Sequence, residues 1–144
     1  MENPYVYHAS VRWSGERAGV LSLSGKPDLN ISPPPEFGGP PGVISPEDLF
    51  VSAVAACFMA TFLAMCEKVR ASFVTFSCAA EGVLDKMDGK GLAFTSVTLR
   101  PKVGIADTGE ERAVRRALDL AKKYCIVSNS LACPVNMEPK VDVI

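Results

Sequence analysis

The chain has 144 residues, of which 48% are hydrophobic and 22% charged, a composition that fits one globular domain with an ordinary buried core. Lysine plus arginine (15) nearly balance aspartate plus glutamate (16), and no basic run occurs, so the electrostatic footprint of a nucleic-acid-binding protein is missing. The N-terminus lacks the layout of a signal peptide, and the apolar stretch 49–66 is short for a membrane span. We therefore expect a cytoplasmic protein with no membrane or nucleic-acid partner.

The N-terminal segments predict a β-hairpin followed by a loop. Residues Tyr5 to Trp13 alternate in polarity and carry aromatic side chains, which indicates a strand. Val20 to Leu23 indicate a second strand after the turn at 14–19. The segment Asn30 to Ile44 is dense in proline and glycine, so we expect no regular structure there. A loop of this length in a compact domain is more often functional than idle.

A long helix is predicted next. Ser45 is a good N-cap, Pro46 fits the first helical position, and Glu47 and Asp48 place negative charge on the first turn. Asp48 stands where a capping box has Glu or Gln, and the helix should run to about Arg70. Its helically spaced positions form a stripe of mainly small residues that would let another element approach closely: Leu49, Ala53, Ala56, Cys57, Ala60 and Ala64.

The C-terminal half predicts a second hairpin, a second helix and a last strand. Ser72 to Leu84 and Gly91 to Val103 read as paired strands, and Asp107 or Thr108 can cap a helix from Glu110 to Lys123. The remaining expected elements are a short helical turn at 127–131, capped by Ser128 or Asn129, and a strand at 135–144. The order ββαββαβ predicts one α+β domain, residues 1–144, with antiparallel sheet.

The five cysteines, at 57, 66, 78, 125 and 133, are the main candidates for chemistry. An odd number argues against a disulfide framework, and the absence of a Cys-x-x-Cys pair, with His8 as the single histidine, argues against zinc. Buried thiols that only pack, or a reactive pair, remain. Cys66 follows Cys57 by about 900° of helical rotation, so the two face roughly opposite ways. Cys125 ends the second helix, where a thiol can move as a resolving cysteine must.

Two charged residues have both an ordinary and a functional interpretation. Arg17, in the first hairpin turn, is either a solvated turn residue or a guanidinium that lowers the pKa of a thiol. Glu47 either stabilises the first turn of its helix or holds an arginine in a bidentate pair.

The segments SPEDLFVSAVAACF (45–58) and CIVSNSL (125–131) together resemble the OsmC/Ohr family of thiol-dependent peroxidases. The family hallmarks are a cysteine in the middle of a long helix that opens with Pro-Glu, and a second cysteine near the end of the next major helix. The resemblance covers essentially the whole chain. Ile126 stands where the family pattern has proline, and Cys66, Cys78 and Cys133 lie outside the pattern.

The resemblance implies an intertwined homodimer, with antiparallel sheets around a long central helix, that reduces organic hydroperoxides to alcohols. Cys57 would attack the peroxide and become a sulfenic acid, and Cys125 would condense with it to a disulfide. Arg17, with Arg12 as the alternative, would stabilise the thiolate and pair with Glu47. No metal, haem or flavin is implied; the expected reductant is an external dithiol of the dihydrolipoyl type.

Two other functions stay open. A non-enzymatic module could bind a hydrophobic ligand, with the cysteines as packing groups. A peroxide sensor could pass its oxidation to a partner protein. Shared fold alone does not decide between these functions and a peroxidase.

Overall fold

The computed structural model describes residues 4–144, which form two compact units. The first unit comprises the described residues up to Phe50, and the second runs from Val51 to Ile144. Helix α1 (Pro46–Val69) begins in the first unit and continues through the second. The elements are those of an α+β protein, as predicted, while the single domain over residues 1–144 stays a prediction.

The first unit is built on a three-stranded antiparallel sheet. Its strands are β1 (Ser10–Gly15), β2 (Ala18–Ser22) and β3 (Leu29–Ile31), in that order. The predicted hairpin is confirmed, but its first strand begins at Ser10, and the turn contains only residues 16 and 17. Gly15 at φ +133° and Glu16 at φ +49° let the chain reverse this tightly, which places Arg17 at the tip of the hairpin.

The proline-rich segment contains more regular structure than predicted. Besides the end of β3, it holds a 3₁₀ helix at Pro35–Phe37, and Ile31 forms a bridge with Ile44. Pro35 lies in the first turn of this helix, where its fixed φ is already helical, and Gly38 ends the helix at φ +94°. The expectation of no regular structure was therefore wrong, because these prolines initiate a helical turn.

The predicted start of α1 is confirmed in detail. The Asp48 N–H donates to Ser45 Oγ at 3.1 Å, and the Ser45 N–H donates to Asp48 Oδ2 at 2.9 Å. This reciprocal pair is a capping box with Asp in place of Glu. The helix ends at Val69, and Arg70 follows at φ +57°.

The sheet of the second unit is mixed. Strands β4 (Thr75–Met87) and β5 (Gly91–Ile105) form the predicted long antiparallel hairpin. The expected last strand is instead two short strands, β6 (Val135–Met137) and β7 (Lys140–Val143), and both pair parallel to β5. Helices α2 (Glu111–Tyr124) and α3 (Ile126–Asn129) form a crossover after β5 and return the chain to the middle of β5, so that β6 and β7 run in the same direction as β5. The predicted antiparallel pairing is confirmed for β4 and β5, and β6 and β7 add parallel pairing that the prediction did not include.

The caps of α2 and α3 differ in how well they were predicted. Asp107 Oδ1 accepts a hydrogen bond from the Gly109 N–H at 2.8 Å and caps the 3₁₀ turn Thr108–Glu110 that leads into α2. The N-cap position of α3 is Cys125, so neither Ser128 nor Asn129 caps this helix. The chain enters α3 one residue earlier than expected, because Cys125 already has extended backbone angles.

The buried face of α1 carries its larger residues. Val54, Phe58, Phe62 and Cys66 are buried, whereas the small-residue positions at 53, 56, 60 and 64 are exposed. Because these buried residues recur every four positions, they lie on one face of the helix. The predicted stripe is thus uncovered within the chain. By length and composition alone α1 could also cross a membrane, a property that core helices of soluble proteins share.

Candidate active site

The second unit brings Cys57 and Cys125 together. Cys57 is half-buried in the middle of α1, and Cys125 is fully buried between α2 and α3. The Cys57 sulfur accepts hydrogen bonds from the Cys125 thiol and from the backbone N–H groups of Val127 and Ile126. Both thiols are free, so the chain holds a reduced pair of adjacent cysteines.

The surroundings of Cys57 favour its thiolate. Burial by itself would raise the pKa of Cys57 above 9.0, but the hydrogen bonds from Val127, Cys125, Thr61 and Ile126 outweigh it, and the pKa is lowered. Thr61 lies one helical turn after Cys57; its Oγ1 is 4.0 Å from the Cys57 sulfur and donates to the Cys57 carbonyl oxygen at 2.8 Å. A lowered pKa and partial exposure are the two properties of a reactive cysteine.

Cys125 has the opposite character. Burial raises the pKa of Cys125, and the neighbouring Cys57 raises it further, while the Ser128 hydroxyl and N–H act in the other direction. Cys125 is therefore the protonated partner, and its S–H stabilises the Cys57 thiolate. The pair divides the two roles that a thiol reaction needs, a nucleophile and a proton donor beside it.

The other cysteines lack these surroundings. Cys66 is 5% exposed, and burial raises its pKa to about 11. Burial also raises the pKa of Cys78, against a weaker effect of the Arg100 backbone. Cys133 lies in a separate cleft beside Lys122 and Lys123. The burial of Cys66 agrees with the prediction that it faces away from Cys57.

We expect a test of alkylation against pH to single out Cys57. Only the thiolate reacts with iodoacetamide, so the half-maximal rate for Cys57 should fall below pH 9.0, whereas Cys66 should stay unreactive until near its pKa of about 11. Peptide mass spectrometry after short labelling pulses measures each site. Equal pH midpoints for Cys57 and Cys78 would contradict this order.

The predicted arginine and glutamate meet in a cleft of the first unit. This open cleft has a volume of about 530 Å³ and is lined by Arg12, Arg17 and Glu47 among apolar side chains that include Val11, Trp13, Pro33, Pro34 and Phe37. Arg17 lies against Gly38, where a Cβ atom would come within 2.8 Å of Nη1. The cleft can hold an apolar molecule with a polar end.

The predicted ion pair between Arg17 and Glu47 is not formed. The ion pairs between described side chains involve neither Glu47, Arg17 nor Arg12, and Glu47 Oε1 is buried without a hydrogen-bond partner. Both arginine side chains are exposed, so water can solvate them. Arg17 and Glu47 thus line one cleft without an ion pair in this state, and their roles in the site stay predictions.

Several polar groups around the thiols were not foreseen. The sequence offers one signal for Thr61, its position four residues after Cys57, where a helix stacks side chains. The N–H groups of Ile126 and Val127 carry no side-chain signal at all. Within residues 4–144, no group of three His, Cys, Asp or Glu side chains could hold a metal ion.

Comparison with known proteins gives a consistent result. The family model described as OsmC-like protein matches residues 39–140. The uncharacterized protein YmaD of Bacillus subtilis is 25% identical over 141 residues, which cover 95% of this chain and 93% of YmaD.

Solved structures agree over nearly the full length. An OsmC-like protein of unknown function from Vibrio cholerae superposes with a TM-score of 0.85 at 25% identity, covering 94% of this chain and 99% of that one. An organic hydroperoxide resistance protein, OsmC, from Legionella pneumophila superposes with a TM-score of 0.75 at 26% identity, covering 99% and 98%. The fold is therefore that of OsmC and Ohr proteins, some of which are described as organic hydroperoxide resistance or redox proteins. With a matching family model over most of its length and a thiol pair at the positions that the resemblance assigns, this chain belongs to the family of OsmC-like proteins.

Proposed function

We propose that this protein is a peroxidase that reduces organic hydroperoxides to alcohols, with Cys57 as nucleophile and Cys125 as resolving thiol. The observation that carries the proposal is the adjacent pair of free cysteines with opposite pKa shifts, lowered at Cys57 and raised at Cys125. Family relatives described as organic hydroperoxide resistance proteins support the choice of substrate.

The proposed reaction has two steps on the protein. The Cys57 thiolate attacks the terminal peroxide oxygen: an S–O bond forms, the O–O bond breaks, and the alkoxide leaves and takes up a proton as alcohol. Cys57, oxidised by two electrons to a sulfenic acid, then reacts with Cys125; the S–S bond forms and water leaves. An external dithiol of the dihydrolipoyl type restores both thiols by exchange and is itself oxidised to a disulfide.

Arg17 is proposed to stabilise the Cys57 thiolate and the charge that develops on the peroxide oxygen. The support is chemical: a guanidinium favours a neighbouring thiolate, and the cleft that holds Arg17 also holds the unpaired oxygen of Glu47, which an arginine can satisfy. In this proposal Glu47 orients Arg17 during the reaction.

The Arg17→Gln variant is therefore expected to lower kcat/KM for cumene hydroperoxide about 100- to 1000-fold, as loss of one charge-stabilising donor does elsewhere. Its deficit should shrink at higher pH, because the thiolate then forms without help from the cation. Arg12→Gln, in the same cleft, is the matched control and should change the rate less than threefold. A larger loss in Arg12→Gln than in Arg17→Gln would transfer the role to Arg12.

A homodimer is also proposed, supported by the uncovered face of α1. Its positions at 53, 56, 60 and 64 are exposed alanines, and Met59 and Leu63 on the same helix are 44% and 41% exposed. An apolar helix face of this kind gains stability when a second chain removes it from water. A cytoplasmic location is the corresponding proposal for the cell, where reduced thiols persist.

The direct test is turnover. With dihydrolipoamide as reductant, we expect steady consumption of cumene hydroperoxide and slower consumption of hydrogen peroxide, because an apolar site favours the bulky substrate. A second candidate, binding of a hydrophobic ligand without chemistry, is favoured by the apolar cleft near Arg17. No turnover, together with a co-purifying fatty acid or aromatic ligand, would support that candidate instead.

A further inference from the structure

The buried hydroxyl of Ser128 interacts with the Cys125 sulfur but has no close hydrogen-bond partner. Among residues 4–144, only Ser128 Oγ and Glu47 Oε1 are buried side-chain atoms in this condition. A neutral thiol sulfur is only a weak acceptor, so a state of the protein in which this sulfur carries negative charge would explain why the hydroxyl is retained. The proposed peroxidase cycle contains such a state.

Ser128 is placed to meet the sulfur of Cys125. Cys125 occupies the N-cap position of α3, and Ser128 is the third residue of that helix. An N-cap side chain commonly accepts a hydrogen bond from the backbone N–H at this third position. The Asn129 N–H donates to the Cys125 carbonyl oxygen at 3.0 Å, which closes this turn around the thiol. Both the hydroxyl and the N–H of Ser128 favour negative charge on the Cys125 sulfur.

We propose that Ser128 is a positioning residue for the resolving step: its hydroxyl donates to the Cys125 sulfur and stabilises the negative charge there as Cys125 attacks oxidised Cys57. This inference rests on the proposed peroxidase function. In the step itself, the Cys125 sulfur forms the S–S bond, the S–O bond of the Cys57 sulfenic acid breaks, and the proton of Cys125 leaves with the hydroxide as water.

In the reduced state the hydroxyl has only a weak acceptor beside it. The Cys125 thiol is neutral there and directs its proton to the Cys57 sulfur, so little negative charge lies on Cys125 for Ser128 to stabilise. Once Cys57 is a sulfenic acid, that hydrogen bond to a thiolate is lost and Cys125 must become the nucleophile. Negative charge then moves to the atom that Ser128 faces.

Other elements supply the titratable groups around the turn that contains Cys125 and Ser128. Cys57 of α1 is the titratable group that contacts Cys125, while Asp119, Lys122 and Lys123 of α2 line an open cleft of about 450 Å³ together with Ser128. All of them remain when Ser128 is replaced. A change in the pH dependence of the resolving step therefore reports the hydroxyl alone.

The test separates the two oxidation steps in the full-length protein. One equivalent of cumene hydroperoxide is mixed with reduced protein, and quenched samples are analysed by mass spectrometry for the Cys57 sulfenic acid, trapped with dimedone, and for the Cys57–Cys125 disulfide. In Ser128→Ala we expect oxidation of Cys57 at the wild-type rate, disulfide formation slowed about tenfold, and an upward shift of its pH midpoint.

Two further variants control for structure. Ser130→Ala removes an exposed hydroxyl of the same segment that donates to the Ile126 carbonyl oxygen at 2.8 Å, and it should leave both steps unchanged. Ser128→Thr retains a hydroxyl and should restore most of the rate. Because the Ser128 hydroxyl is buried beside only a neutral thiol in the reduced protein, Ser128→Ala should melt at or above the wild-type temperature.

The outcomes distinguish this inference from the function on which it rests. Disulfide formation at the wild-type rate and pH midpoint in Ser128→Ala would overturn the role of Ser128 and leave the peroxidase intact. An equal slowing in Ser130→Ala would also overturn it, because the effect would then belong to the whole segment. Wild-type protein in which cumene hydroperoxide does not oxidise Cys57 would overturn the proposed function itself.

Discussion

Replacing Cys57 with serine is expected to lower the reduction of organic hydroperoxides at least about 1000-fold, because removal of a catalytic nucleophile leaves only the weak contributions of binding. A serine hydroxyl keeps nearly the same shape but does not ionise at neutral pH, so the attack on the O–O bond is lost. The measurement is the steady-state consumption of cumene hydroperoxide with excess dihydrolipoamide.

Cys78→Ser and Cys133→Ser provide matched controls for this experiment. Each removes one half-buried thiol outside the pair and should retain wild-type turnover. If Cys57→Ser consumed hydroperoxide at the wild-type rate, Cys57 could not be the nucleophile. A loss shared by all three variants would point to nonspecific thiol chemistry.

Phe62→Ala is expected to have the largest effect on stability, a loss of about 3–5 kcal/mol in the free energy of unfolding. Phe62 is fully buried in the second unit; its ring stacks on that of Phe76 at 4.8 Å between centroids and lies tilted to that of Phe73 at 5.4 Å. Truncation removes these aromatic contacts and leaves a cavity that neighbouring side chains fill only in part. Urea denaturation followed by circular dichroism measures the change.

The control for this variant is Leu92→Ala, in β5. Leu92 is 51% exposed, so its truncation should cost well under 1 kcal/mol. A loss below about 1 kcal/mol in Phe62→Ala would mean that the face of α1 with Val54, Phe58 and Cys66 is not the one that the protein buries.

The elements with local signals could be predicted from the sequence. Ser45, Pro46 and Asp48 define the start of α1 through side-chain chemistry within four residues, and the structure contains the corresponding hydrogen bonds. The β4–β5 hairpin is likewise a local feature, with β-branched and aromatic residues on both sides of a glycine-containing turn.

Features set by distant parts of the chain could not be predicted in the same way. The direction of β6 and β7 depends on the crossover through α2 and α3, and alternation within the last residues carries no information about it. The buried face of α1 was likewise ambiguous, because apolar residues surround the helix. Helical spacing then fits the alanine stripe as well as the face with Phe58 and Phe62.

In the candidate site too, some residues could be predicted from the sequence and others could not. A resemblance over two motifs predicted Cys57 and Cys125 as a reactive pair, and the structure places them in contact although 68 positions separate them. Thr61 and Ser128 lie near the two sulfurs through helix geometry, and Ser128 entered the sequence prediction only as a cap. The family pattern predicted the Arg17–Glu47 pair. The Arg17 guanidinium is exposed in an open cleft, where an ion pair gains little free energy over hydration.

The most direct test of the account is to treat fully reduced protein with one equivalent of cumene hydroperoxide and to map its thiols by peptide mass spectrometry. We predict a rapid disulfide between Cys57 and Cys125, with Cys66, Cys78 and Cys133 still reduced. Slow oxidation scattered over all five cysteines would contradict the account, because the thiols would then be packing groups without a catalytic role.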